Sequence, residues 1–198
     1  MALFGQRQGI PIAAVGPDKT KPLVEATRHL IELGHQRIVL LTREMRRLPS
    51  PGVPEQAFLD ELANHNLLSG SYNLPDWEDT IDGYQEVLDS LFSVTPPTAI
   101  LTCLPNQFIA TILNLSLKGI KIPTDVSLMC LDDEEAMDWC RPSVAHIRWE
   151  AQPVINRILR WVDNISLGKE DLRQTLTPAE YIQGGTIGPA QGYSISQK

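Results

Sequence analysis

The sequence predicts an α/β fold in which a parallel sheet is covered by helices on both faces. Two observations predict it. Runs at 38–41, 99–103 and 126–131 are continuously apolar, as strands buried on both faces require. Between and around them lie longer segments whose apolar residues recur every three to four positions, which gives a helix one apolar face.

The elements follow in order. Residues 10–15 read as a strand ended by Gly16-Pro17. A helix is expected at 21–33 from the spacing of Leu23, Ala26, Thr27, Leu30 and Ile31. Pro22 suits its first turn and Gly34 its end. After the strand at 38–41, residues 43–53 are rich in Arg and Pro and read as a loop. Helices follow at 54–63 (Ala57, Phe58, Glu61, Leu62) and 80–92 (Tyr84, Val87, Leu88, Leu91), the second stopped by Pro96-Pro97. The strand at 99–103 leads to a helix at 106–117 that is apolar nearly all round and ends at Lys118-Gly119. The strand at 126–131 stops at Asp132-Asp133. A short segment, 146–149, precedes a long helix at 152–167, with Val154, Ile158, Trp161, Val162 and Ile165 on one face and Gly168 closing it. From Gly184 the chain is rich in Gly, Ser and Gln and reads as poorly ordered beyond Pro189.

Bulk properties narrow the function. The 198 residues suffice for one domain or two small lobes. The net charge is -7, and the nearest basic cluster is Arg43, Arg46 and Arg47, so this chain by itself is not expected to hold DNA. Cys103, Cys130 and Cys140 form an odd, scattered set without C-x-x-C, which argues against a disulfide framework or zinc site and fits the cytoplasm. No apolar run approaches the roughly 18 residues that span a bilayer, and no membrane association is expected. The first ten residues lack a secretory pattern.

Catalytic signatures are absent: there is no G-x-S-x-G, no G-x-x-x-x-G-K-[ST], no G-x-G-x-x-G and no H-E-x-x-H. No enzyme activity and no cofactor are expected. His29 and His35 lie six apart, not at the four-residue spacing that aligns two imidazoles, and read as structural. The run Asp132-Asp133-Glu134-Glu135 reads as a loop or helix start, with no metal expected. In open α/β sheets, ligands sit beyond the carboxyl ends of the strands. Those ends here are 16–18, 42–47, 104–106 and 132–133. Asp132, just past a buried strand, can accept two sugar hydroxyls with charge assistance. Trp77, in Pro75-Asp76-Trp77-Glu78, is either a lid on the core or an apolar platform for a pyranose; Trp139 allows the same reading. Trp149 and Trp161 are expected in the core.

Three segments then carry a family resemblance. His29-Leu30-Ile31-Glu32-Leu33-Gly34-His35-Gln36-Arg37-Ile38 resembles the H-L-x-x-x-G-H-x-x-I signature of the lactose/galactose/purine-repressor (LacI-type) family. The stretch from Gly119 through Pro123, Asp125, Val126 and Ser127 to Asp132-Asp133 resembles its G-x-x-[IV]-P-x-D-[IV]-S-[LV] segment. Pro97-Thr98-Ala99-Ile100 resembles its P-T-A-[IL] strand entry. Other stretches, including 57–62, 72–77 and 184–189, look closer to a branch that carries a GntR-type winged-helix headpiece.

The resemblance implies a periplasmic-binding-protein-like fold of two lobes, with an effector in the cleft between them. It implies the remainder of a truncated N-terminal lobe at 1–34, a C-terminal lobe at 35–145, a return to the first lobe at 146–174, a crossing back at 175–189 and a flexible tail at 190–198. The DNA-binding headpiece would precede Met1. The site residues it implies are Asp18, Trp77 and Asp132. Two positions depart from the pattern. Pro54 stands where the family has a cleft arginine, leaving Arg46 or Arg47 to reach in. Leu104-Pro105 replaces an Asn-Asp pair, with Asn106 two places late.

The functional expectation is the sensor of a cytoplasmic, homodimeric transcriptional repressor that binds a sugar-like effector and acts on DNA through the missing headpiece. The lost polar anchors leave a second reading, an assembly module with a degenerate site. A third is a small hydrolase or isomerase using Asp132 with His146.

Overall fold

The structure is a computed structural model that describes residues 2–5, 11–43 and 51–192. Two sheets form. The smaller holds β1 (Ala2–Phe4), β2 (Ala13–Pro17) and β7 (Gln174–Thr177) in the order β1-β2-β7, all parallel. The larger holds β3 (Ile38–Leu41), β4 (Ala99–Thr102), β5 (Ser127–Cys130), β6 (Ala145–Trp149) and β8 (Ala179–Ile182), in the order β3-β4-β5-β6-β8. Its first four strands are parallel and β8 runs antiparallel at the edge.

The larger sheet is buried on both faces, and the alternation of side chains sorts its residues into two cores. Ile38, Leu40, Leu101, Met129 and Ile147 face one way and meet α1 (Thr20–Glu32) and α2 (Val53–Asn64) through Leu23, Ala26, Leu30, Phe58 and Leu62. Val39, Leu41, Ile100, Leu128 and Cys130 face the other way, towards α3 (Ile81–Val94) and α4 (Pro105–Leu117). Phe58 is fully buried in the first core; truncating such a side chain to alanine costs about 3–5 kcal/mol. The stop at Gly34 has the expected left-handed backbone, with φ of 85°.

Several boundaries differ from expectation. Residues 20–32 do not belong to the smaller lobe, because Leu23, Ala26 and Leu30 share one core with Ile38 and Leu40. The return to the first lobe does not begin at residue 146. Residues 145–149 are β6, paired with β5 at Met129↔Ala145 and Cys130↔His146, so the return starts with α5 (Ala151–Ser166). The crossing back does not begin at residue 175 either, because β7 extends to Thr177 in the smaller sheet. Residues 190–192 are not a loose tail: Ala190 is buried and donates to Leu33 O, and Gln191 Nε2 donates to Asp125 Oδ1. Residues 193–198 lie outside the described residues.

On α5 the buried side chains are Val154 and Arg157, whereas Ile158, Val162 and Ile165 remain 41%, 48% and 46% exposed. The expected apolar face is therefore only partly covered. Arg157 is instead held by Asp171, which accepts from both of its terminal nitrogens at 3.1 and 2.8 Å. Asn164 and Arg173 donate to the same carboxylate. That network ties α5 to the chain leading into β7.

Among the described residues the chain passes between the sheets at three places: Asp18-Lys19, Glu150 and Pro178. Each is only one or two residues long, so the carboxyl ends of β2, β6 and β7 are drawn together. That is where the candidate site lies.

Candidate ligand site between the strand ends

Asp132 stands two residues beyond β5 and is the centre of the cluster. Its Oδ1 accepts from Trp149 Nε1 at 2.8 Å and from the Asp133 backbone N–H at 3.1 Å. The same oxygen lies 2.8 Å from Lys19 Nζ. Lys19 belongs to the first crossing, just before α1, and Trp149 ends β6. The Trp149 ring in turn lies 5.8 Å from that of Phe4, which ends β1 in the other sheet. Four residues from separate chain segments thus bridge the two sheets at their carboxyl ends.

A second carboxylate lies alongside. Asp133 is 3.4 Å from Arg148 Nε and 3.4 Å from His146 Nε2. His146 is buried, and its Nδ1 donates to Val144 O at 2.9 Å because a carbonyl can only accept. The general acid-base pairing of Asp132 with His146 is therefore corrected: the imidazole faces Asp133 and Val144, enclosed in the sheet. Burial pushes the nearby Cys130 thiol up to about 11, which makes it an inert packing group, as expected of a small buried hydrophobe.

The other sequence-derived residues are placed differently. Asp18 is half-buried just before α1, its Oδ1 accepting from Thr20 N–H at 3.1 Å; its own N–H donates to Thr177 O. Trp77 donates through Nε1 to Thr42 O at the end of β3 and packs edge-on against Tyr84 at 5.0 Å. It is a half-buried lid on the second core, set at the same carboxyl edge. Asn106 is exposed in the first turn of α4, where its Oδ1 accepts from the N–H of Gln107. Trp139 is 84% exposed at the end of the 3-10 turn Glu135–Trp139. Neither Asn106 nor Trp139 is joined to the Asp132 cluster by a described contact. Arg46 and Arg47 lie outside the described residues. Arg43, the last described residue before them, is held by Asp79, with Nε 2.8 and 2.7 Å from its two oxygens.

Sequence reasoning missed Lys19, Trp149 and Phe4. Lys19 carried one signal, its place directly after Asp18 at a strand end. Trp149 was expected in the core because it flanks a strand, but it is only half-buried. Among the described residues no three His, Cys, Asp or Glu side chains are grouped to hold a metal ion. Among the same residues no helix is long and apolar enough to cross a membrane.

Residues 27–187 match the family model of the periplasmic binding protein-like domain. The chain belongs to that family. Its fold is that of the LacI-type effector-binding domain, with helices flanking the parallel sheets. The chain is 28% identical over 123 residues to the HTH-type transcriptional repressor PurR of Haemophilus influenzae, a match covering 62% of the chain and 36% of that repressor. The chain thus spans well under two thirds of the curated relatives it matches. It superposes on a LacI-family regulator from Enterococcus faecium with bound ribose at a TM-score of 0.77 and 17% identity, covering 96% of this chain and 71% of the other. The transcriptional regulator CelR in complex with cellobiose aligns at 0.80 and 17% identity, covering 93% and 58%. The matched relatives are repressors, not enzymes.

Proposed function

We propose that this chain is the ligand-sensing domain of a transcriptional repressor. It binds a small hydroxylated molecule, of sugar or related metabolite class, between the carboxyl ends of the two sheets. The bound molecule controls DNA binding by a headpiece outside this sequence. The observation that carries the reading is Asp132, a partly exposed carboxylate beyond a buried strand, linked through Trp149 and Lys19 to both lobes. A ligand that touches both sides favours one lobe arrangement over the other, and this differential affinity is what shifts a linked DNA-binding equilibrium. The ribose and cellobiose held by the two structural neighbours support the class of ligand. A regulator of this kind works in the cytoplasm, where Cys103, Cys130 and Cys140 stay reduced; all three are free thiols.

Trp77 and Asp18 remain candidate contacts at the edge of this cleft, and Arg46, Asn106 and Trp139 stand as further candidates. Thermal shift against a panel of pentoses, hexoses and disaccharides tests the reading, because a ligand that binds only the folded state raises Tm by mass action. A shift that is lost in Asp132→Asn supports it. A shift unchanged in both Asp132→Asn and Trp77→Ala places the site elsewhere.

The assembly reading is favoured by a separate observation. Ile109, Leu113 and Leu117 recur four residues apart on α4 and are 51%, 60% and 91% exposed. Such a row fits a homodimer contact. Sedimentation equilibrium of the protein and of Leu113→Asp tests it; a wild-type monomer at high concentration removes it.

A further inference from the structure

The carboxylate on which this reading rests is already occupied by a group from the chain itself. Lys19 Nζ lies 2.8 Å from Asp132 Oδ1, and the two side chains are 19% and 20% exposed. The same oxygen carries the Trp149 and Asp133 N–H donors, whereas no described donor hydrogen-bonds Oδ2. The two-oxygen acceptance of ligand hydroxyls expected of Asp132 is therefore not available as it stands. A neutral ligand either makes a single hydrogen bond to Oδ2 or displaces an ammonium, and an ammonium is the stronger partner for a carboxylate.

We propose that Lys19 is a tethered competitor for the ligand at Asp132, setting the threshold affinity and the selectivity of the cleft. This rests on the reading of the cleft as a ligand site. Lys19 is well placed to compete, since it sits at the first crossing, next to the start of α1, and its side chain returns to the end of β5. A neutral sugar that displaces it leaves the carboxylate without its counter-charge. A ligand carrying its own amine replaces the ammonium in kind. The cleft therefore discriminates against neutral sugars relative to their amino counterparts, and loss of Lys19 removes that discrimination.

The test is calorimetric titration of ribose, glucose, cellobiose and glucosamine into the wild-type chain, Lys19→Met, Lys19→Gln and Lys19→Arg. Circular dichroism establishes that each variant is folded. We expect Lys19→Met and Lys19→Gln to bind the neutral probes about tenfold more tightly than the wild type. Lys19→Arg retains the wild-type weakness. Because the competitor is ionic, raising NaCl from about 20 to about 300 mM strengthens neutral-sugar binding to the wild type and leaves Lys19→Met unchanged. A merely structural lysine does not produce that salt difference. Equal or weaker neutral-sugar binding in both neutral variants, or the same salt response in wild type and Lys19→Met, overturns the competitor role while the ligand site stands. If no probe binds any folded variant, the ligand reading falls, and the competitor role with it.

Discussion

The ring of Phe4, on the smaller sheet, meets the indole of Trp149, on the larger one, at 5.8 Å between centroids and 43° between planes. The indole is fixed at its other end by the hydrogen bond from Nε1 to Asp132. Trp149→Phe keeps a ring near Phe4 but removes the donor, and a hydrogen bond to a partly exposed carboxylate is worth about 1 kcal/mol. Trp149→Ala also removes the ring pair, about 0.5–1.5 kcal/mol more. Urea midpoints should fall in the order wild type, Trp149→Phe, Trp149→Ala. Equal midpoints for the two variants would show that the ring contact contributes nothing.

His35 gives the fold a dependence on pH. Its Nε2 donates to Gly188 O at 2.8 Å, and its Nδ1 is buried without a partner. Burial pushes the imidazole below its ordinary value, with the Gly188 hydrogen bond acting the other way. The unfolded chain therefore takes up a proton at higher pH than the folded one. The contribution is complete above about pH 6.5 and is lost progressively as pH falls below it. Denaturant midpoints measured from about pH 7.5 down to about pH 5 should decline, and His35→Asn should flatten that decline.

Asp171 anchors the smaller lobe. Hydrogen bonds from Arg173, then Asn164 and Arg157, hold its carboxyl well below the usual carboxylate range, against the opposing effect of burial. A depressed carboxylate stabilises above its unfolded value, and that stability disappears as pH falls through the folded one. At neutral pH, Asp171→Asn should lower Tm clearly, because it strands the buried Arg157 guanidinium. Arg173→Ala, whose side chain is 73% exposed, should lower it much less. Paired thermal melts decide the order.

Gly184 sits where the last strand returns past β6. A Cβ there would collide with the backbone of Val144 and Ala145. Gly184→Ala should cost about 2 kcal/mol, in the range of overpacked sites, and should loosen the neighbouring hydrogen bond from Ala145 N–H to Thr186 Oγ1. Hydrogen exchange at Ala145 reads that loosening directly.

The strands β3, β4 and β5 were legible because each is buried on both faces and carries an uninterrupted apolar run. The strand β6 was hidden because Arg148 and Trp149 are only half-buried at its end, turned towards Asp133 and Asp132, and Arg148 breaks the apolar run. At the smaller sheet and the edge, Gln174–Thr177 and Ala179–Ile182 have no apolar run at all. Their pairing depends on distant chain segments, which local pattern does not encode. The position of Asp132 could be read from the strand that precedes it. Its partners could not, because Trp149 reaches it only when β6 pairs beside β5 and Lys19 only when α1 packs on the same sheet, both of which join segments far apart in the chain.

The three short crossings have a mechanical meaning. Among the described residues only Asp18-Lys19, Glu150 and Pro178 run between the sheets, so a change in the angle between the lobes has to pass through a narrow wrist made of these residues. The Pro178 ring fixes its φ, which leaves that crossing fewer free backbone angles. Lys19 is therefore both a joint of that wrist and the group seated on Asp132. A ligand of the kind proposed, by taking its place on the carboxylate, would act directly at that wrist.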